Sequence, residues 1–358
     1  MNQGFELSGS AMRLTDFMLS VYIPRYLQDP PPGHRAKLAS TTRDSYRGMI
    51  SKYLRPDLGK QCLRDLTEGA LEDYFAQKAL EVTYPVLSKI RDTLSSVLRA
   101  AVKVHYLSHN PTADLELPKD RRARRTKPTI TREWFEKLVQ LIAEPYATMV
   151  FVAVWTGLRV SELIGLKWRC IHEDSITIEE RYCRGDWSAP KTEASAATIG
   201  VAPVVIARLQ RLRGLTVKVR AGGQGAIPEC EVVKSAEPDD LVFQSLYGGH
   251  PMNDQNILKR HIKPVARKLG LAFVNWRCLR TSHATWLVQA GADPKSTQGQ
   301  MRHSRISTTL DIYAQIVPAA QRRAVQQLSA FAGGENQNGA LASERNFSRS
   351  QSRSKTVQ

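Results

Sequence analysis

Apolar residues in the first 115 positions recur with the spacing of amphipathic helices, with almost no strand pattern between them. The stretch 43–54 (RDSYRGMISKYL) follows a Ser-Thr-Thr start and is expected to end before Pro56. A second helix is expected behind Thr67 and a third after Pro85. The apolar stripe of the third consists of Leu87, Ile90, Leu94, Val97, Leu98 and Ala101. These segments predict a small helical bundle.

From about residue 130 the pattern becomes mixed. Helical spacing occurs at 131–143, 146–156, 203–213, 254–269, 279–290 and 318–331. Two strand-like runs, 175–182 (SITIEERY) and 195–202 (SAATIGVA), are joined by the turn-forming GDWSAPKTEA. Residues 214–240 show no clean period and are expected to form an inserted loop. The fold class predicted is therefore mainly α-helical with a small antiparallel β-sheet.

Changes in composition divide the chain into segments. Residues 119–127 hold six basic residues against one acid and indicate an exposed linker that touches phosphate. These basic residues, predicted to bind DNA, are Lys119, Arg121, Arg122, Arg124, Arg125 and Lys127. The segments expected are a flexible start (1–10), a helical domain (11–116), the linker (117–129), an α+β domain (130–332) and a polar, disordered tail (333–358).

Charge and cysteine content narrow the class of protein. Lys and Arg number 51 against 34 Asp and Glu, a formal charge of +17 that is spread along the chain and favours a polyanionic partner. The sequence has no apolar stretch of membrane-spanning length and no signal-peptide pattern, so a cytoplasmic protein without membrane contact is expected. Its five irregularly spaced cysteines indicate neither a disulfide framework nor a zinc site.

The sequence lacks the motifs of several well-known classes of enzyme. The sequence lacks GxxxxGK[ST], HExxH and GxSxG, and it has no acidic cluster spaced for two metal ions. Neither a metal nor a cofactor is therefore expected. Any phosphate chemistry must come from side chains.

Four segments carry cations or polar hydrogens suited to a phosphodiester. They are TGLRVSELIGLKW (156–168), APKTEAS (189–195), RCLRTSHAT (277–285) and RHSRISTTLDIY (302–313). Guanidinium groups match the non-bridging oxygens of a pentacovalent phosphate, and Arg159 stands at an expected helix start, where anions are favoured. The final tyrosine could instead be a core residue, with Ile306 and Leu310 on the same helix face.

In these motifs, and over residues 10–331, the sequence resembles the tyrosine recombinases of the phage integrase family. The resemblance rests on the arginine in TGLRVSEL, the lysine in PKT, the box ending in LR and the closing HSxxxTTxxxY, in that order. It implies a SAM-like helical core-binding domain followed by a catalytic domain. It also implies a site-specific recombinase, typical of a prophage or mobile element, that cleaves and rejoins DNA.

The resemblance also implies roles for individual residues. Tyr313 would be the nucleophile that forms a 3′-phosphotyrosine link and releases a 5′-hydroxyl. Arg159 and Arg280 would clamp the scissile phosphate. Lys191 would protonate the departing oxygen, and His303 would hydrogen-bond the phosphate.

Other positions support or depart from the family pattern. Glu162 is expected to orient the basic cluster rather than react. Arg277 stands where the family usually has a histidine; it can donate to phosphate but cannot act as a base near neutral pH. His283 fits a packed helix histidine better than a substitute base. Arg302 stands where the family usually has glycine.

The resemblance further implies the partners. They are double-stranded DNA attachment sites, three further copies of the chain in a homotetramer on synapsed DNA, and accessory directionality or DNA-bending proteins. The segment 317–331 (VPAAQRRAVQQLSAF) is expected to dock onto a neighbouring subunit. Two alternatives stay open at this stage: a DNA-binding relative that has lost cleavage, and a type IB topoisomerase.

Overall fold

The computed structural model describes residues 9–28, 38–119, 126–189, 197–218 and 229–313. These residues form two compact units, one ending at 119 and the other beginning at 126. Several predicted features lie outside the described residues: Lys191, the linker residues Arg121, Arg122, Arg124 and Arg125, the helix 318–331 and the tail 333–358.

The first unit is built from helices alone in its described part. They are α1 (Leu14–Phe17) with π-helical turns at Met18–Gln28, α2 (Ser40–Met49) with π-helical turns at Ile50–Leu54, α3 (Arg55–Leu58), a 3₁₀ turn (Leu63–Asp65), α4 (Glu68–Glu81) and α5 (Tyr84–Lys103). The side chains of Phe17, Leu54, Phe75 and Leu94 are fully buried between them. The predicted helical bundle is confirmed.

One helix end in this unit was predicted wrongly. The helical path does not stop before Pro56 but runs on to Leu58. Pro56 falls in the first turn of α3, directly after the wider turns of Ile50–Leu54. A proline is tolerated in a first turn, because its missing N–H would have little use there.

The described part of the second unit has nine α-helices, together with short strands. The helices are α6 (Arg132–Leu141), α7 (Tyr146–Thr156), α8 (Val160–Ile164), α9 (Pro203–Gln210), α10 (Asp254–Ile257) with π-helical turns at Leu258–Ile262, α11 (Lys263–Lys268), α12 (Trp276–Gln289) and α13 (Pro294–Met301). A 3₁₀ turn (Trp168–Cys170) follows α8, and residues 306–313 form a last helical segment, α14. Apolar side chains of α6, α7, α9 and α12 share one core.

Three two-stranded antiparallel sheets lie in the described part of this unit. Strand β1 (Ser175–Thr177) pairs with β4 (Thr198–Gly200), placing Ile176 opposite Ile199. Strand β2 (Arg181–Cys183) pairs with β3 (Asp186–Ser188), and β5 (Thr216–Lys218) with β6 (Glu229–Glu231). Mainly helical structure with small antiparallel sheets is thus confirmed.

The detailed strand predictions need two corrections. The run 175–182 is not one strand, and residues 186–188, predicted as turn, form β3 around a tight turn at Arg184 and Gly185, both with positive φ. Within 214–240, predicted as a loop, the structure places β5 and β6. Three-residue strands are too short to show a period in sequence.

The structure also answers two general questions about the described residues. No helix among them is long and apolar enough to cross a membrane. No group of three or more His, Cys, Asp or Glu side chains among them could hold a metal ion.

Candidate active site

Arg159 owes its position to a tight turn between α7 and α8. Gly157 ends α7 with φ 65°, a left-handed conformation that glycine adopts readily. A Cβ at this glycine would lie only 2.6 Å from Cδ2 of His283, so α7 and α12 approach too closely there for any larger residue. Arg159 follows in extended backbone as the N-cap of α8.

Glu162, buried at 2% exposure, connects two arginines. Its Oε2 accepts the backbone N–H of Arg159 at 2.8 Å and Nη2 of Arg302 at 2.6 Å. Its Oε1 accepts Nη1 of Arg159, also at 2.8 Å. The Glu162 carboxylate therefore both caps α8 and orients the Arg159 guanidinium.

Arg280 reaches the same region from α12. Asn275 caps this helix by accepting the N–H of Cys278, so α12 begins at Trp276 rather than at the predicted residue 279. The Arg280 guanidinium donates to the backbone carbonyls of Gly157 and Met301. Burial and the nearby Arg159 lower the pKa of Arg280 to about 9, which leaves it charged at neutral pH.

Arg302 is the most unusual charged residue of the site. It ends α13 with φ 51° and ψ 49° and is 2% exposed. Besides its bond to Glu162, its backbone carbonyl accepts Nη2 of Arg159 at 3.3 Å. Its Nε and Nη1 have no hydrogen-bond partner. Burial lowers the pKa of Arg302, although Glu162 opposes this effect.

His303, the next residue, is half-buried. Its Nδ1 lies 3.0 Å from Oγ1 of Thr309, a fully buried residue of α14. Burial lowers the pKa of His303 to about 4, and the cations Arg280, Arg159, Lys127 and Arg302 lower it further in the same direction. The imidazole is therefore neutral at physiological pH.

Arg159, Arg280 and His303 line one cleft of about 400 Å³ in the second unit. Among the described residues, the charged or titratable ones that line it are Lys127, Arg159, Arg277, Arg280 and His303, and none of the described lining residues is acidic. Arg277, exposed in the first turn of α12, stands at its mouth. We call this the cation cleft.

Tyr313 lies beside the cation cleft but is not among the residues that line it. Its hydroxyl donates to the carbonyl of Ala292 and lies 3.1 Å from Oγ1 of Thr297. In α14 the buried positions are Thr309 and Ile312, whereas Ile306 and Leu310 are 39% and 45% exposed. The alternative of a core face formed with Ile306 and Leu310 does not match this exposure, and Ile312 packs against Ala284 and Met301 instead.

His283 is buried on a different face of α12 from the exposed Arg277. Its Nε2 has no hydrogen-bond partner, and burial lowers its pKa to about 4, opposed by a hydrogen bond to the backbone of Val154. The ring packs against Gly157, which in turn holds Arg280. His283 is thus placed to support the turn that carries Arg159.

Comparison with known proteins decides the family. The model of the phage integrase family matches residues 128–319, more than half of the chain. The chain belongs to the phage integrase family. It is a site-specific tyrosine recombinase, an enzyme that breaks and rejoins DNA strands through a phosphotyrosine intermediate.

Individual members of the family show the extent of the similarity. The ICEBs1 integrase of Bacillus subtilis (strain 168) is 26% identical over 294 residues, covering 78% of this chain and 74% of that protein. The integrase of Mycobacterium phage FRAT1 is 24% identical over 305 residues, covering 83% and 85%. The phage or mobile-element context predicted from sequence fits these relatives, which include a phage integrase.

Solved structures share the fold. The Tn1549 transposon integrase in complex with transposon right end DNA has a TM-score of 0.64 at 18% identity, covering 89% of this chain and 100% of that one. A lambda integrase dimer bound to a COC' core site has a TM-score of 0.55 at 17% identity, covering 77% and 89%.

Two features of this integrase's site were missed from sequence. Lys127, predicted only as a linker contact, lines the cation cleft, whereas Lys119 is an exposed residue of the first unit. Arg302 was noted only as a departure from the family pattern and not as part of the site. A charged residue in place of glycine, beside a motif histidine, was the available signal.

Proposed function

We propose that the cation cleft binds the scissile phosphate of a DNA attachment site and that Tyr313 attacks it. The observation that carries the proposal is a cleft to which the described part of the chain contributes several cationic side chains and no acidic one. Burial and mutual repulsion lower the pKa values of Arg280 and His303 there, so a bound anion would relieve the unfavourable charge. A phosphodiester offers two non-bridging oxygens that guanidinium groups can bind through paired hydrogen bonds.

In the proposed reaction, the Tyr313 oxygen bonds to phosphorus while the bond to the 5′-oxygen breaks. The tyrosine loses its proton to solvent water, and the leaving oxygen takes one from Lys191. Arg159 and Arg280 neutralise the charge that develops on the non-bridging oxygens. The product is a 3′-phosphotyrosine link, which a 5′-hydroxyl can attack to reverse the step.

His303 and Arg277 complete the phosphate contacts in this proposal. The proposal assigns Thr309 as the donor to Nδ1, 3.0 Å away, so that the neutral His303 ring carries its proton on Nε2 and can donate it to phosphate. Arg277, at the mouth of the cleft, donates where the family usually has histidine. Glu162 keeps Arg159 oriented and does not react.

Tyr313 must change partners before it can attack. Its hydroxyl donates to the Ala292 carbonyl, and that same proton cannot be held there while the oxygen bonds to phosphorus. We therefore include in the proposal a movement of Tyr313 from Ala292 and Thr297 toward the cation cleft.

The proposal extends to the assembly. The helical first unit (11–116) would act as the core-binding domain, with the linker 117–129 following the DNA backbone and 130–332 forming the catalytic domain. Four copies would act on paired sites in the cytoplasm, associated with the nucleoid and with accessory directionality proteins. Support comes from a structure of the lambda integrase tetramer bound to a Holliday junction, which has a TM-score of 0.52 at 18% identity.

A nicked suicide duplex of the native attachment site tests the proposal. Cleavage traps the protein on DNA because the released 5′-hydroxyl fragment diffuses away, so a covalent adduct is expected on a denaturing gel. Tyr313→Phe should bind the duplex without forming it. A wild-type protein that binds but forms no adduct would indicate a non-cleaving relative, and relaxation of plasmids lacking the site would indicate a topoisomerase.

The role of Lys191 has its own test. Lys191→Ala should bind normally and cleave slowly, because the leaving oxygen lacks a proton donor. A duplex with a 5′-phosphorothiolate leaving group needs little protonation and should restore the rate. Absence of rescue would remove Lys191 as the acid.

A further inference from the structure

Arg302 makes two contacts that concern Arg159, and the residue before it holds Arg280. Its side chain binds Glu162, the carboxylate that orients Arg159. Its backbone carbonyl accepts directly from Arg159 at 3.3 Å. The carbonyl just before it, on Met301, accepts from Arg280. The left-handed turn at Arg302 thus presents two successive carbonyls to two guanidinium groups.

The residue is retained there despite two unfavourable features. A φ of 51° is a conformation that a residue with a side chain rarely adopts and that glycine adopts freely. Its buried Nε and Nη1 also have no partner, which is unfavourable for a polar group removed from water. Such outliers, when the surrounding structure imposes them, cluster at functional sites.

The charge balance indicates what the guanidinium does. Glu162 is nearly inaccessible to solvent, and without Arg302 its remaining ion-pair partner among the described residues would be Arg159. With Arg302 at 2.6 Å, the carboxylate is shared between two cations. Arg159 then stays oriented, but its positive charge is neutralised less and the electrostatic potential in the cleft is more positive.

We infer that Arg302 is a positioning residue, which acts through Glu162 and its own carbonyl to hold Arg159 oriented and only partly neutralised toward a phosphate in the cation cleft. This inference rests on the proposed function of Arg159. Arg302 itself is buried behind the cleft and does not line it.

Three substitutions separate this role from simple packing. Arg302→Met keeps the apolar stem without charge, Arg302→Lys keeps the charge, and Arg302→Gly relieves the left-handed backbone. At saturating protein, single-turnover cleavage of the suicide duplex should fall about tenfold or more in the Met and Gly variants. The Kd for DNA should change by less than about threefold, and the Lys variant should recover most of the rate.

A double-mutant cycle tests the route through Glu162. If Arg302 acts through that carboxylate, Glu162→Gln combined with Arg302→Met should cleave no more slowly than the slower single variant. Effects that multiply would overturn the inference. Thermal unfolding measures the effect of Arg302→Gly on stability. The control is Arg184→Gly, which makes the same backbone change at an exposed residue with φ 50°.

A readout without DNA keeps the inference separate from the proposed function. The side-chain ¹⁵N signal of Arg159, identified by its loss in Arg159→Lys, should show slow hydrogen exchange in wild type and Arg302→Lys and fast exchange in Arg302→Met. If wild type forms no adduct, the proposed function fails, and this signal still decides the role of Arg302. An Arg159 signal unchanged in Arg302→Met, with cleavage within about twofold of wild type, would overturn the inference.

Discussion

Binding of DNA should raise the pKa of His303. In the free protein the ring is half-buried and faces the cations of the cleft, which together hold its pKa at about 4. A scissile phosphate placed among Arg159, Arg280 and His303 reverses the local balance of charge. The neutral ring of the free protein should then take up a proton more easily.

The size of the change follows from Coulomb's law. A single negative charge about 4 Å from the ring, at an effective dielectric constant of about 20, favours the protonated form by about 4 kcal/mol. That energy corresponds to about three pKa units, which would bring His303 to a pKa of about 7 in the complex. Since the complex then binds a proton that the free protein lacks, DNA affinity should increase as pH falls from about 7 to 5.

The assay is an NMR titration of ¹³C-labelled histidine between pH 5 and 8, with and without the attachment-site duplex. His303→Gln identifies the signal by its loss and should also remove most of the pH dependence of binding. His283 serves as the matched control, because its pKa is also about 4 but it does not line the cation cleft. Its signal should stay that of a neutral ring in both samples.

Two results would refute this reasoning. If His303 titrated near the ordinary value of about 6.5 in the free protein, the cations would not act on it as the structure implies. If its pKa stayed below about 5 in the complex, no phosphate would lie near the ring.

Three other predictions address stability, binding and the nucleophile. Because His283 has a pKa of about 4 when folded, below the ordinary value of about 6.5, the unfolded chain takes up its proton first as pH falls. Wild type should therefore lose about 3 kcal/mol of folding free energy between pH 6.5 and 4 that His283→Met does not lose. Urea unfolding at neutral and acid pH measures this, and equal losses would contradict it. Lys127→Ala should slow cleavage at saturating protein. Lys119→Ala should weaken DNA binding in gel shifts without slowing cleavage at saturating protein. If the two variants had the same effects on binding and on cleavage, both lysines would be ordinary linker residues. Thr297→Val removes one hydrogen bond of about 1 kcal/mol from the Tyr313 hydroxyl and should speed cleavage about fivefold in the suicide assay, whereas slower cleavage would show that Thr297 helps the attack.

The long amphipathic elements could be predicted from sequence. Helices α5 and α7 carry stripes or runs of apolar residues that fill the cores of their units, and the structure places them where the pattern predicts. Helix α13 was missed because PKSTQGQM has almost no apolar periodicity. Its start depends on Asp293, whose side chain accepts the N–H groups of Lys295 and Ser296, and a cap of this kind is easily overlooked.

The motifs predicted which residues gather but not how they contact each other. Arg159, Arg280 and His303 come together in one cleft, from three separate elements, as their shared chemistry suggested. Arg280 is held by the backbone carbonyls of Gly157 and Met301, and backbone contacts of this kind cannot be predicted from a pattern of side chains. The positions of these carbonyls depend on the left-handed backbone conformations of Gly157 and Arg302. A conformation of this kind is only partly encoded in local sequence.

The central claim is that Tyr313 becomes covalently joined to DNA. Digesting the trapped adduct with protease and nuclease, then sequencing the modified peptide by mass spectrometry, identifies both the residue and the DNA end. The account predicts a peptide containing Tyr313 that carries a nucleotide through its 3′-phosphate. A nucleotide on another residue, or one attached through a 5′-phosphate, would contradict it.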